Sequence, residues 1–198
     1  GGSGIGASIV EHFCEQECDV YFVDINKKES NKLIKDLKKK GFKAPHFIEC
    51  NLIKIKKLQT IIQKIIKSKG PIDILINNAA NDDRHSTDQV DEKYWNNRMD
   101  VNLKHFFFTI KAVLKGMIKN NGGAIVNLCS VSWMLGEGDK VAYESAMSAV
   151  LGLIRSFARQ LVKYIIRCNP VTPGSIATET HIKHWLTPKY KKFILDKQ

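Results

Sequence analysis

Ser130 stands thirteen residues ahead of Tyr143, the run Gly1-Gly2-Ser3-Gly4-Ile5-Gly6 opens the chain, and Asn77-Asn78-Ala79 falls in between. A glycine-rich turn that starts a helix lets the backbone approach a pyrophosphate and aims free amides and the helix dipole at its charge. Ser3, Gly4, Ile5 and Gly6 are the candidate phosphate contacts, although the run alone could equally be a plain flexible terminus. Asp24 comes eighteen residues after Gly6, near the roughly 20-residue interval at which a carboxylate grips the hydroxyls of an adenosine ribose. A negative charge there repels a 2′-phosphate and favours NAD over NADP; a simple turn aspartate is the alternative. Together these residues read as a nucleotide-dependent redox site. Four residues beyond the tyrosine, where such a site wants a lysine, the chain has Met147.

Elements that could position these groups follow from hydrophobic period. Short β-branched or apolar runs at Val20–Asp24, His46–Cys50, Ile72–Ile76, Ala124–Cys129 and Ile166–Val171 alternate with longer segments of helical period, the signature of parallel strands joined by crossover helices. Helices are expected over Ile5–Glu17 and Ser30–Lys40, and along the stripe Ile55, Leu58, Ile62, Ile65 and Ile66 that ends near Gly70. The two longest are Tyr94–Lys119 and Val141–Tyr164, the second carrying Ala146, Val150, Leu153, Ile154, Phe157 and Leu161 at core spacing. The tail Trp185–Gln198 has no evident place. The predicted class is α/β, a doubly wound, Rossmann-like parallel sheet with helices on both faces, in a single domain over residues 1–198.

Composition narrows the function classes. A net charge of +11 raises nucleic acid as a partner, but the lysines of 27–43 and 54–69 interleave with an apolar helical stripe rather than with stacking aromatics, so they read as solvated helix faces. Five cysteines, Cys14, Cys18, Cys50, Cys129 and Cys168, suit a reducing compartment better than a disulfide framework. Cys14 and Cys18 lie one helical turn apart, with no second Cys or His pair to complete a zinc shell, so no metal is expected. There is no basic-then-apolar leader and no apolar run of about 18 residues to span a bilayer. A cytoplasmic protein without membrane or nucleic-acid partners is expected.

With these motifs in order, the chain resembles the classical short-chain dehydrogenase/reductase family from Gly1 to about Thr178. Gly1 to Gly6 match the last six positions of that family's TGxxxGxG, and Asn77-Asn78-Ala79-Ala80 matches its NNAG with alanine in the final place. The resemblance puts the family's helix asparagine on Asn102, its serine on Ser130 and its tyrosine on Tyr143. Coenzyme contacts fall on Asn78 and Ala79, on Leu52 and Asn51 (aspartate in the family), and on Pro173, Gly174, Ile176 and Thr178, the segment that cups the nicotinamide. A narrower similarity to sugar 1-dehydrogenases of the xylose and arabinose type rests on Asn81-Asp82-Asp83-Arg84-His85, Ser132-Trp133 and Trp185-Leu186-Thr187-Pro188. There Arg84 and His85 could read sugar hydroxyls; the loop could also simply be wet.

What the resemblance implies is a small-molecule hydroxyl or carbonyl substrate, most plausibly an aldose oxidised at carbon one, NAD as coenzyme, and homo-oligomerisation through the two long helices. Tyr143 would exchange a proton with the substrate oxygen, Ser130 would orient that oxygen, and Asn102 would hold a water that leads protons away. The family's lysine lowers the tyrosine pKa and anchors the nicotinamide ribose; Met147 does neither, so Tyr143 is expected near its reference value of about 10. Lys140, one turn before the tyrosine, is expected in the entering loop rather than as a substitute. A weak catalyst follows, with a dinucleotide-binding pseudoenzyme as the rival reading. The strand that precedes the glycine turn, central in the family's sheet, is expected to be missing, as are the last helix and strand, as in a fragment of a longer protein.

Overall fold

The computed structural model describes residues 1–197; Gln198, the end of the unplaced tail, lies outside the described residues. The chain divides into two compact units, Gly1–Asn51 with Gly174–Gln198, and Leu52–Pro173.

In the first unit, α1 (Gly4–Glu15) leads to β1 (Tyr21–Asp24), α2 (Lys27–Lys39) and β2 (His46–Glu49). The two strands pair in parallel, Tyr21 opposite His46 and Asp24 opposite Glu49. Val10 and Cys14 of α1, Phe22 of β1 and Leu37 of α2 form the core, lined by Val20, Leu33, Ile34, Phe42 and Phe47. Helix α2 starts three residues before the expected Ser30 because the Asn26 side chain accepts a hydrogen bond from the Glu29 amide at 3.1 Å, satisfying one of the donors a helix start leaves open. After α8 (Glu179–His184), the tail that the sequence left unplaced forms α9 (Pro188–Lys197). Thr187 Oγ1 accepts from the Tyr190 amide at 3.2 Å, and Pro188 stands at the first helical position, where its missing N–H costs nothing.

The second unit contains α3 (Ile55–Lys69), β3 (Ile74–Asn77), α4 (Glu92–Met99), α5 (His105–Lys119), β4 (Gly123–Leu128), α6 (Ser132–Leu135), α7 (Val141–Leu161) and β5 (Ile166–Val171). Its sheet is parallel in the order β3-β4-β5. Helix α7 packs on β5, and α5 on β3 and β4. Ala146, Val150, Ile154, Phe157 and Leu161 are buried as their spacing requires, each large side chain contributing about 1.5–3 kcal/mol relative to exposure. Among the described residues the strands form two parallel sheets, β1-β2 and β3-β4-β5.

One expected element is divided. Tyr94–Lys119 was to be a single helix; α4 begins two residues earlier, where the Asp91 carboxylate caps the Tyr94 amide at 2.6 Å. Between α4 and α5 the backbone opens into a π turn over Asp100–Lys104, a feature that often marks a functional position inside a helix.

Candidate active site

In the first unit the glycine turn is shaped by close packing. Gly4 has φ +52°, a left-handed conformation that side chains rarely adopt. A Cβ on Gly2 would collide with the Ser30 hydroxyl, and one on Gly1 would come within 2.8 Å of the Phe22 ring. Ser3 is the N-cap of α1 with extended backbone and no side-chain capping bond, so the first amides of α1 are left to an outside acceptor. This turn fits a pyrophosphate: it offers amides, carries no bulk, and sits where the helix dipole is positive.

Asp24, at the end of β1, accepts from the Gly1 amino group at 2.7 Å and the Gly2 amide at 2.8 Å through one oxygen, and from the Asn26 amide at 2.8 Å through the other. Burial pushes its carboxyl up, but these hydrogen bonds outweigh it and hold the pKa below the ordinary value. The expected ribose ligand is therefore ionised, and it also fastens the turn to the strand. Thr178 caps α8 by accepting from the His181 amide at 3.2 Å, and its methyl lies 3.5 Å from where a Gly4 Cβ would stand. Asn51 and Ile176 are exposed and Gly174 is half-buried.

In the second unit Ser130 follows β4. Its hydroxyl donates to Ser132 Oγ at 3.0 Å and accepts from the Ser132 amide at 3.1 Å. Tyr143, in the first turn of α7, is 9% exposed. Burial pushes its phenol up to about 12; the Ser130 side chain pulls it back in part, while Asp82, Cys129 and Glu137 push it further. None of these is a cation. The expectation of a value near 10 is thus corrected upward, because the phenolate loses hydration as well as the missing lysine.

Met147 is wholly buried, and its carbonyl accepts from Cys129 Sγ at 3.1 Å. Lys140 is buried too, with its ammonium 2.9 Å from Glu137, in an ion pair.

Asn102 lies in the π turn with no exposed surface; its amide accepts from the Asn81 N–H at 2.7 Å and donates to the Asn81 carbonyl at 2.9 Å. The side chain expected to hold a water thus clamps the loop after β3. Arg84 pairs with Asp139 and lies 3.9 Å from Glu137, and His85 is buried, so both residues expected to read sugar hydroxyls are engaged within the protein. Asn78, Ala79, Leu52 and Pro173 are half-buried, and the Pro173 carbonyl accepts from the Val131 amide at 3.2 Å, next to Ser130.

A buried polar ladder went unnoticed in the sequence. Asn77 Nδ2 donates to Asn127 Oδ1 at 2.8 Å across β3 and β4, and Thr109 Oγ1 donates to Asn77 Oδ1 at 2.8 Å from α5. These bonds hold the end of β3 from which Asn78 and Ala79 emerge. The available signal was Asn127, a polar residue in an otherwise apolar strand run.

A helix start stripped for a pyrophosphate, a carboxylate at the next strand end, and a serine after a parallel strand with a buried tyrosine in the helix that follows are the marks of a Rossmann-type oxidoreductase. The profile of the short chain dehydrogenases matches residues 1–188, and the chain belongs to that family. It is 39% identical over 189 residues to a D-xylose 1-dehydrogenase of Caulobacter vibrioides (strain NA1000 / CB15N), covering 96% of this chain and 74% of that protein. A Rhizobium meliloti (strain 1021) protein named as a probable galactose dehydrogenase is 38% identical over 187 residues, covering 94% of this chain and 73% of the other. Among solved structures, a gluconate 5-dehydrogenase from Burkholderia cenocepacia J2315 in complex with NADP and tartrate matches with TM-score 0.86 at 26% identity, covering 97% of this chain and 75% of that one. No helix among the described residues is long and apolar enough to cross a membrane.

Proposed function

We propose that this chain is an NAD-linked dehydrogenase of an aldose, oxidising the C1 hydroxyl to the lactone, and that Met147 limits its rate. The observation that carries the reading is the buried Tyr143 phenol, with the Ser130 side chain among the groups that act on it; the substrate class draws on the sugar dehydrogenases among its relatives. The glycine turn binds the pyrophosphate through the first amides of α1, and Asp24 takes the adenosine ribose hydroxyls and disfavours a 2′-phosphate. A nicotinamide held there would supply the acceptor for the hydride from C1. Ser130 hydrogen-bonds the substrate oxygen and orients it, while Tyr143 in its ionised form takes the hydroxyl proton. With the phenol at about 12, only about one molecule in 10⁴ is ionised at pH 8, so turnover is slow.

A second reading has one specific support, the apolar, wholly buried residue at the lysine position: the chain binds dinucleotide without turning substrate over and serves as a binding or oligomer partner. Initial rates with a panel of aldoses and simple alcohols, each with NAD and with NADP, test the first reading. Slow, NAD-dependent oxidation of pentoses or hexoses, accelerated by Met147→Lys, supports it. Coenzyme binding without turnover in either form supports the second, activity confined to the simple alcohols removes the sugar assignment, and activity confined to NADP removes the coenzyme assignment.

A further inference from the structure

Helix α7 begins without a cap of its own. Its N-cap residue is Lys140, whose side chain has no acceptor and makes no capping bond, although the first amides of a helix need acceptors from outside it. One is supplied from far away in sequence: the Ala142 amide donates to His85 Nε2 at 3.4 Å. Ala142 is wholly buried and immediately precedes Tyr143. The His85 amide in turn donates to the Asp139 carbonyl at 2.7 Å, and neighbouring Arg84 pairs with the Asp139 carboxylate.

An imidazole nitrogen that accepts from an N–H carries no proton, so the proton of the neutral ring sits on Nδ1. Nδ1 lies 3.0 Å from the Tyr94 hydroxyl and 3.2 Å from the Asp83 carbonyl, both able to accept it. The ring also meets Tyr94 edge-on with centroids 5.0 Å apart. Arg98 lies over the other partner, 5.1 Å from the Tyr94 ring centre, and binds Asp83 at 3.0 Å. His85 is therefore held in one orientation by α4 and by its own loop.

We propose that His85 is a positioning residue: its Nε2 lone pair caps the first turn of α7 and so sets where the Tyr143 phenol stands against Ser130. The inference rests on the reading of Tyr143 as the group that handles the substrate proton, and it assigns His85 a task other than contact with sugar.

Two conservative substitutions separate its nitrogens, because the glutamine amide reaches the place of Nε2 and the asparagine amide that of Nδ1. Glutamine can still accept from Ala142; asparagine cannot. In His85→Asn and His85→Ala the exchange protection of the Ala142 amide should fall about tenfold, and the ring-carbon NMR signal of Tyr143 bearing the hydroxyl should move. In His85→Gln both should stay near the parent values. Repeated on Met147→Lys, the Asn and Ala variants should lose about 10- to 100-fold in kcat with KM for the aldose little changed, and Gln should recover most of it.

Unchanged Ala142 protection in His85→Ala overturns the proposal whatever the turnover. So does a loss confined to KM, which is the mark of direct sugar recognition, or a Gln variant no better than Asn. If Met147→Lys turns over nothing, the functional reading fails by itself, while the exchange and NMR measurements still decide on His85.

Discussion

Replacing Met147 by lysine should raise turnover by about 10- to 1000-fold at pH 8. The magnitude follows from the phenol of Tyr143, pushed up to about 12 chiefly by burial, with no cation among the groups acting on it. A positive charge within about 4–6 Å lowers a neighbouring acid by roughly 1–3 units, and each unit multiplies the scarce phenolate about tenfold until it nears half ionisation. The gain is a ceiling, since a less basic phenolate also takes a proton less eagerly. The side chain enters a site with no exposed surface, so the ammonium loses hydration and the variant should melt lower than its parent. The assay is the initial rate of nicotinamide reduction with the best aldose, alongside tyrosinate absorbance against pH and circular dichroism to verify folding; Met147→Leu, apolar like its parent, should gain nothing. A folded Met147→Lys whose phenol drops by a unit or more without any rise in rate would refute the reasoning.

Other outcomes follow from the same geometry. Asp24→Asn removes the carboxylate at the end of β1 while keeping acceptor capacity toward the Gly2 amide; the preference for NAD over NADP, read from the two dissociation constants, should fall about tenfold or more. The imidazole of His105, driven by burial down to about 4 and only weakly opposed by the Val101 carbonyl, stays neutral when folded and charges near 6.5 when unfolded. Its contribution is therefore intact above about pH 6.5 and is lost as pH falls toward 4, about 2 kcal/mol between pH 7 and 5; urea titrations at the two pH values should show the loss, and His105→Phe should remove that share of it. Asn102→Ala strips the Asn81 amide and carbonyl of their partners and should cost about 1–3 kcal/mol for each group left dry, visible as a lower melting temperature together with slower turnover.

Much of this architecture was legible from period alone. The strand Ile166–Val171 and the start of α7 at Val141 stand where the sequence places them, because apolar spacing records which face is buried. The glycine turn was legible for a different reason, since only residues without side chains tolerate the approach of Phe22 and Ser30. The π turn at Asp100–Lys104 was hidden because one extra residue in a helical turn leaves the apolar stripe nearly unaltered. A partner distant in sequence was equally invisible: nothing local to His85 tells of Ala142. The shift of Tyr143 had the same origin. Residue types revealed the missing lysine, but the desolvation that lifts the phenol further depends on how α7 packs, which spacing does not measure.

The central claim is that Tyr143 takes the substrate proton and is scarce in the form that can do so. Its most direct test is the rate of NAD reduction by an aldose between pH 7 and 10, in the unaltered chain and in Tyr143→Phe, within the range where circular dichroism shows the fold intact. The account predicts a slow rate that climbs about tenfold per pH unit without levelling, as a phenol at about 12 requires, and essentially none in the phenylalanine variant. A rate indifferent to pH, or one that survives in Tyr143→Phe, would contradict it.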